Sequence, residues 1–293
     1  MSATGAQLGS SCGFSSRISL RWVPEVPEET TDTIVLSVGE WFLDLRMDKK
    51  SGGIDWAMAG TRIEENPKGI PLKVIFTREL DSLNEIGIKD IGNFSPRPDG
   101  TDLESGEMPR TDLPGAPMTA FEEVWRELPF REGPEGAKKG ISWILESDDA
   151  PLSLGEQEGQ VTITKIFMGR IWGTYLAFQQ TQTHSSQKDE SGVWSVKRSG
   201  SEVSARREEW SSRWEEKYMV GSDGAAIPSM KNGYDGEGMG TWRIPGEKVV
   251  IQGKSFIVRA FEEIHYVVRS HLKGDRLRGL SDYDQSKGEQ DKF

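Results

Sequence analysis

The stretch Val161–Gln180 limits the fold most strongly, because it is rich in β-branched and aromatic residues and contains no Asp or Glu. Such side chains pack well on a pleated surface and therefore favour strands. Gly169 and Gly173 would each cost about 1 kcal/mol inside a helix, whereas in a strand they mark a bulge or a bend. The stretch predicts two consecutive strands, or one strongly bent strand, at the centre of a β-rich domain.

Apolar and polar residues alternate in several other segments, as they do in half-buried strands. Ile18–Trp22, Thr33–Met47 and Ile54–Thr61 show this pattern. In Thr33–Met47 it places Asp44 and Arg46 on the solvent-exposed face. Many short strands at this spacing are typical of barrels or sandwiches and not of βαβ units.

Trp214–Val220 also alternates and favours a strand. A helix is the competing interpretation there, because Trp210 and Trp214 are four residues apart.

Two segments interrupt the strand pattern in the first half. Gly92–Pro117 is rich in Pro, Gly, Asp and Glu and predicts a long loop or linker. Met118–Leu128 has a capping-box pattern and a helical apolar stripe, which predict a helix. The predicted class is mainly β, with two antiparallel barrel domains and one or two short helices. The expected parts are a disordered N-terminus (1–15), two domains (16–135 and 136–270) and a disordered tail (271–293).

The composition excludes some classes of function. Lys and Arg total 36 against 47 Asp and Glu, a net charge of −11, which disfavours nucleic-acid binding. The single cysteine, Cys12, fits a reducing compartment. The first residues do not resemble a signal peptide, and the apolar runs are too short for a membrane helix. We therefore expect a soluble, acidic, intracellular protein without a membrane span.

Several segments, in the same order along the chain, resemble the fungal Hri family, whose members are named for interaction with an Hrr-type casein kinase. The resemblance covers roughly residues 15–268. It is carried by IDWAMAGT (54–61), GEMPRTDLPGAPMTAFEEVWRELP (106–129), ISWILESDD (141–149) and MGRIWGTYLAFQQ (168–180), and more loosely by 210–220 and 248–264.

The resemblance implies a pair of lipocalin-like β-barrel domains. It also implies residence in the cytoplasm and nucleus, and contacts with a casein-type kinase and a component of the translocation machinery. The family has no established catalytic residues. The first functional hypothesis is therefore a non-enzymatic interaction protein.

The alternative hypothesis is a small-molecule site, since a small barrel can enclose one ligand. Lipocalin-like barrels in filamentous fungi also serve as cyclases or isomerases of specialised metabolism. Here a hydrophobic molecule would contact Trp56, Trp172, Tyr175 and Phe178, in space left by the glycines of Val161–Gln180. The candidate catalytic residues are Arg170, which interrupts an apolar run, and Asp55. The same aromatic residues could instead be plain barrel core, and the charged residues plain surface.

Metal and cofactor sites are not expected. Three scattered histidines and one cysteine give no metal-ligand spacing. The glycine-rich segment Gly236–Gly240 lacks the preceding strand and following helix of a phosphate-binding loop.

Overall fold

A computed structural model describes residues 11–110, 112–137, 139–149, 158–188, 192–232 and 242–265, and these fold almost entirely into antiparallel strands. The mainly β class is therefore confirmed. The first strand begins at Cys12, so the end of the segment predicted to be disordered, 1–15, is strand. Residues 1–10 and the predicted tail, 271–293, lie outside the described residues.

The first half of the chain forms a closed, eight-stranded, up-and-down barrel. Each strand pairs with its neighbours in sequence, and the first pairs with the eighth. The strands are β1 (Cys12–Trp22), β2 (Thr31–Val38), β3 (Trp41–Asp48), β4 (Ile54–Glu64), β5 (Leu72–Asp81), β6 (Lys89–Pro96), β7 (Asp102–Pro109) and β8 (Met118–Glu127).

The second half forms an eight-stranded antiparallel sheet in the order β14-β13-β11-β10-β9-β16-β15, with β12 also paired to β11. Its end strands, β14 and β15, do not pair with each other within the described residues. Two short 3-10 helices, Gly224–Ala226 and Met230–Asn232, follow β14. The strands are β9 (Lys139–Ser147), β10 (Gly159–Ile171), β11 (Thr174–Lys188), β12 (Trp194–Gly200), β13 (Ser204–Trp210), β14 (Trp214–Val220), β15 (Lys248–Ile251) and β16 (Lys254–His265).

The central stretch forms the hairpin of β10 and β11, which confirms the prediction of two consecutive strands. Trp172 and Gly173 make its tight turn, and Trp172 has a positive φ of 51°. The strand interpretation of 214–220 is also confirmed. Trp210 and Trp214 are cross-strand partners with ring centroids 5.7 Å apart.

The helix predicted for Met118–Leu128 is wrong, because this segment is β8. Phe121, Glu123 and Trp125 are buried at alternate positions, as in a strand with one face inward. β8 pairs with β7 on one side and with β1 on the other, and so closes the barrel. Pairing on both edges outweighs the local helical pattern.

The linker predicted for Gly92–Pro117 is also wrong, because it contains the end of β6 and all of β7. Two of its glycines, Gly92 and Gly106, lie inside strands, where they make room for interior side chains. A Cβ at Gly92 would lie 2.2 Å from an oxygen of Glu104, and one at Gly106 would lie 2.8 Å from the ring of Phe121. Glycine in these strands therefore reflects close packing and not a loop.

The first barrel and the second sheet share an apolar cluster. Leu43, Leu45 and Met47 contribute from β3, and Phe167 and Phe178 contribute from the central hairpin. Phe42, Asp44 and Arg46 of β3 point into the barrel, where they are buried. The predicted solvent exposure of Asp44 and Arg46 is therefore wrong. The apolar side chains of β3 lie on its outer face. That face is apolar because the second sheet covers it.

Candidate functional site: a cavity in the first barrel

The interior of the first barrel contains a cavity of about 530 Å³. Strand alternation brings side chains from all eight strands to it, because every second residue of a barrel strand faces inward. Six aromatic rings line it: Phe42, Trp56, Phe76, Phe94, Phe121 and Trp125. The size and the aromatic walls are those of a pocket for one small organic molecule.

A buried ion-pair network lies in the wall of the cavity. Arg46 donates from Nε and Nη2 to Asp44 Oδ2, at 3.1 and 2.9 Å, and from Nη1 to Glu123 Oε1 at 3.1 Å. Arg17 also donates to Glu123, and it pairs with Glu29 on its other side. Guanidinium groups have the planar geometry needed to hold several carboxylates in fixed positions. The network therefore fixes the positions of two carboxyl groups that face the cavity, those of Asp44 and Glu123.

Two tryptophans connect this network to the aromatic wall. The Arg46 guanidinium carbon lies 4.6 Å from the centroid of the Trp56 ring and 5.8 Å from that of Trp125. Trp125 Nε1 donates to Glu104 Oε2 at 2.8 Å, and Trp56 Nε1 donates to Asp81 Oδ1 at 2.9 Å. Both indoles are therefore held by hydrogen bonds at the edge of the cavity.

Two carboxyl groups in the cavity wall, those of Asp44 and Glu104, have raised pKa values. Burial raises the pKa of Glu104 well above its ordinary value, and the negative charge of Glu123 raises it further. Burial also raises the pKa of Asp44, although Arg46 acts in the opposite direction. Removal from water disfavours the charged form of both acids. A cation placed beside Asp44 or Glu104 would favour the charged carboxylate.

Asp44 retains an unused acceptor. One of its oxygens, Oδ2, accepts both hydrogen bonds from Arg46. The other, Oδ1, is buried and has no hydrogen-bond partner among the described residues. Asp44 lines the cavity and is only 3% exposed. Buried acceptors are normally satisfied, so this atom marks a position where a donor would be stabilised.

The four residues predicted to form a ligand cavity do not come together. Trp56 lines the cavity of the first barrel. Trp172 lies in the hairpin turn and packs against Phe130, and Phe178 belongs to the apolar cluster between the barrel and the second sheet. Tyr175 is fully buried in the core of the second sheet, where its hydroxyl donates to the carbonyl of Pro228.

The space expected around the glycines of the central hairpin is occupied. A Cβ at Gly169 would lie 3.1 Å from Cδ1 of Leu43, and a Cβ at Gly173 would lie 2.2 Å from the carbonyl oxygen of Glu132. The other face of the hairpin packs into a core that includes Trp143 and Trp242. The glycines therefore accommodate neighbouring chain segments in place of a ligand.

Neither candidate catalytic residue lines the cavity. Arg170 is fully buried in the second sheet, where it pairs with Glu135 at 2.6 Å and donates to the carbonyl oxygen of Trp172. Asp55 is an exposed residue of β4. The structure gives Arg170 a bridging role between β10 and the chain segment before β9.

Glu104 and Glu123 are among the cavity residues that sequence reasoning missed. The alternation of Phe121, Glu123 and Trp125 within β8 was the signal that could have found Glu123. That signal was obscured by the helical pattern of the same segment. Glu104 lies in the acidic, glycine-containing part of the chain that was interpreted as a linker.

In the described residues, no three or more His, Cys, Asp or Glu side chains are arranged so that they could hold a metal ion. Within the same part of the chain, none of the helices is both long and apolar enough to cross a membrane.

Comparison with known proteins gives one family and one similar fold. The sequence model of the family described as Protein HRI1 matches residues 13–241. The crystal structure of uncharacterized protein YLR301w from Saccharomyces cerevisiae is similar, with a TM-score of 0.56 and 16% sequence identity. The match covers 86% of this chain and 99% of the yeast chain, and at this identity it concerns the fold alone. No curated protein shows a significant sequence match.

Proposed function

Because this chain belongs to the HRI1 family and its first barrel encloses a cavity of about 530 Å³, we propose that it binds one small organic molecule inside that barrel. The observation that carries this proposal is the combination of aromatic walls with buried polar groups around one enclosed space. Ligand pockets commonly have volumes of about 300–1,000 Å³ and a few fixed polar groups. A cyclase or isomerase activity in this space would not use Arg170 or Asp55, which lie elsewhere, and the candidate acids would be Asp44 and Glu104.

A substitution that fills the cavity tests this proposal. Val35 of β2 lines the cavity, and Val35→Trp would place an indole inside it. We expect binding of a small aromatic probe, measured by calorimetry, to weaken at least about tenfold, a loss of about 1.4 kcal/mol. Val250→Trp is the matched control, because Val250 is 71% exposed on β15. Equal affinity in the two variants would contradict binding inside the barrel.

Protein partners are a second proposed function, and the supporting observation is the edge strand β12. Within the described residues β12 pairs with β11 alone, and Val193 and Val196 beside and within it are 60% and 43% exposed. An exposed strand edge can accept a strand from another protein. The candidate partners that we propose are a casein-type kinase and a translocation component, with contacts in the cytoplasm and nucleus, as the family resemblance implies.

Val196→Lys tests this proposal, since lysine on an edge strand opposes pairing with another strand. With a purified casein-type kinase, we expect the variant to bind at least about tenfold more weakly than the wild type in surface plasmon resonance. Ile63→Lys is the control, because Ile63 is similarly exposed (48%) but lies in the closed barrel. Unchanged binding by the Val196 variant would exclude β12 as the docking edge.

A further inference from the structure

The cavity of the first barrel is strongly acidic. Seven carboxyl side chains and two guanidinium groups line it. The two cations are Arg46 and Arg62. An excess of carboxyl groups around a cavity with low-dielectric walls attracts cations and repels anions.

The two cations are already engaged by carboxylates. Each of the three guanidinium nitrogens of Arg46 donates to Asp44 or Glu123. Arg62 is partly exposed and pairs with Glu64 at 3.2 Å. Both guanidinium groups already face carboxylates, so an anionic ligand beside them would also meet those negative charges. Fatty acids and phosphate esters are therefore poor candidates for this cavity.

The unused acceptor of the network belongs to a residue that lines the cavity. Asp44 Oδ1 is buried, and Asp44 is held in place by the two hydrogen bonds from Arg46 to its other oxygen. An ammonium group can donate up to three hydrogen bonds and carries the charge that buried carboxylates require. A hydroxyl group could satisfy the acceptor but would not compensate the charge.

The aromatic walls of the cavity suit the apolar part of a ligand that carries an ammonium group. The six aromatic rings offer apolar contact area, and ring faces also attract cations. A ligand with a charged head and an apolar body would match both parts of the cavity.

We propose that the ligand of the first barrel is a protonated amine with an apolar or aromatic body, whose ammonium group donates to Asp44 Oδ1. This inference rests on the proposed ligand-binding function. It adds the chemical class of the ligand and the residue that selects it. Asp44 is thus the specificity-determining residue of the cavity, and Arg46 positions it.

The test compares three probes of one shape that differ in charge: phenylbutylamine, phenylbutanol and phenylbutanoate. Binding to the wild-type full chain is measured by calorimetry at neutral pH. We expect the amine to bind about ten- to a hundredfold more tightly than the alcohol, as a charge-assisted hydrogen bond adds about 1.5–3 kcal/mol. We expect the carboxylate to bind most weakly.

Asp44→Asn removes the charge and keeps the shape of the side chain. We expect it to weaken binding of the amine about tenfold or more and to leave the alcohol nearly unchanged. Asp55→Asn is the matched control, because Asp55 is an exposed acid of β4 outside the cavity. Far-UV circular dichroism checks that both variants fold. If Asp44→Asn does not fold, the comparison of the three probes on the wild type decides the question.

The outcomes separate this inference from the function on which it rests. Equal binding of amine and alcohol, both weakened by Val35→Trp, would overturn the amine proposal and leave ligand binding intact. Tighter binding of the carboxylate would also overturn it. Binding of the amine that Val35→Trp leaves unchanged would place the amine outside the barrel and contradict both proposals.

Discussion

Arg46→Ala is expected to destabilise the first barrel by about 3–5 kcal/mol, because buried Asp44 loses the guanidinium that it pairs with and Glu123 keeps only Arg17. Arg46 is 6% exposed, and its guanidinium holds both Asp44 and Glu123. Removal of one partner of a buried ion pair costs more than the pair itself contributes, since the remaining charge stays out of water. The measurement is the midpoint and slope of urea unfolding, followed by tryptophan fluorescence.

Arg62→Ala is the matched control for this prediction. Arg62 also lines the cavity, but its pair with Glu64 is partly exposed to solvent. Exposed pairs contribute about 0–1 kcal/mol, so we expect a shift of that size or less. Equal effects of the two substitutions would show that the Arg46 network is accessible to water. In that case the barrel interior would not act as a low-dielectric site.

The interior position of this network explains why sequence reasoning succeeded for the strands and failed for the site. The alternation in β3 correctly predicts a strand with Leu43 and Leu45 on one face and Asp44 and Arg46 on the other. The conventional rule that polar residues face water assigns the charged face to solvent. That rule reverses here because the outer face of the barrel is covered by a second sheet. Such a covering element cannot be detected from the alternation of one strand.

The central hairpin was predictable because both of its faces are buried. Phe167 and Phe178 pack towards the first barrel, whereas Tyr175 packs into the core of the second sheet. A segment buried on both faces is apolar at consecutive positions, which is a strong signal in the sequence. β8 gave a weaker signal, because only alternate residues are buried and the spacing of Phe121, Val124, Trp125 and Leu128 also matches a helical stripe.

The two glycines of the hairpin show a different limit of sequence reasoning. A glycine in an apolar strand indicates that something approaches the backbone closely, but it does not indicate what. If the missing side chains of Gly169 and Gly173 are interpreted as space for a ligand, the predicted cavity lies in the second half of the chain. The structure instead places Leu43 beside Gly169 and the backbone of Glu132 beside Gly173. The enclosed space lies in the first barrel, where Gly92 and Gly106 accommodate Glu104 and Phe121.

Leu43→Ala is expected to destabilise the protein by about 2–5 kcal/mol, because Leu43 is fully buried in the cluster between the barrel and the second sheet. The range reflects how far the surrounding side chains can collapse into the space left behind. Leu83→Ala is the control, since Leu83 is 52% exposed and its substitution should change stability by no more than about 0.5 kcal/mol. A small effect of Leu43→Ala would mean that the two sheets are not packed against each other in solution.

A double-mutant cycle shows whether Leu43 packs on Gly169. A Cβ at Gly169 would lie 3.1 Å from Cδ1 of Leu43, so Gly169→Ala alone should crowd that side chain. In the Leu43→Ala background the same methyl group enters free space and should be tolerated or stabilising. We expect a coupling free energy of about 0.5–3 kcal/mol between the two positions, the range for residues in contact. Additive effects, with a coupling free energy near zero, would contradict this contact between the barrel and the central hairpin.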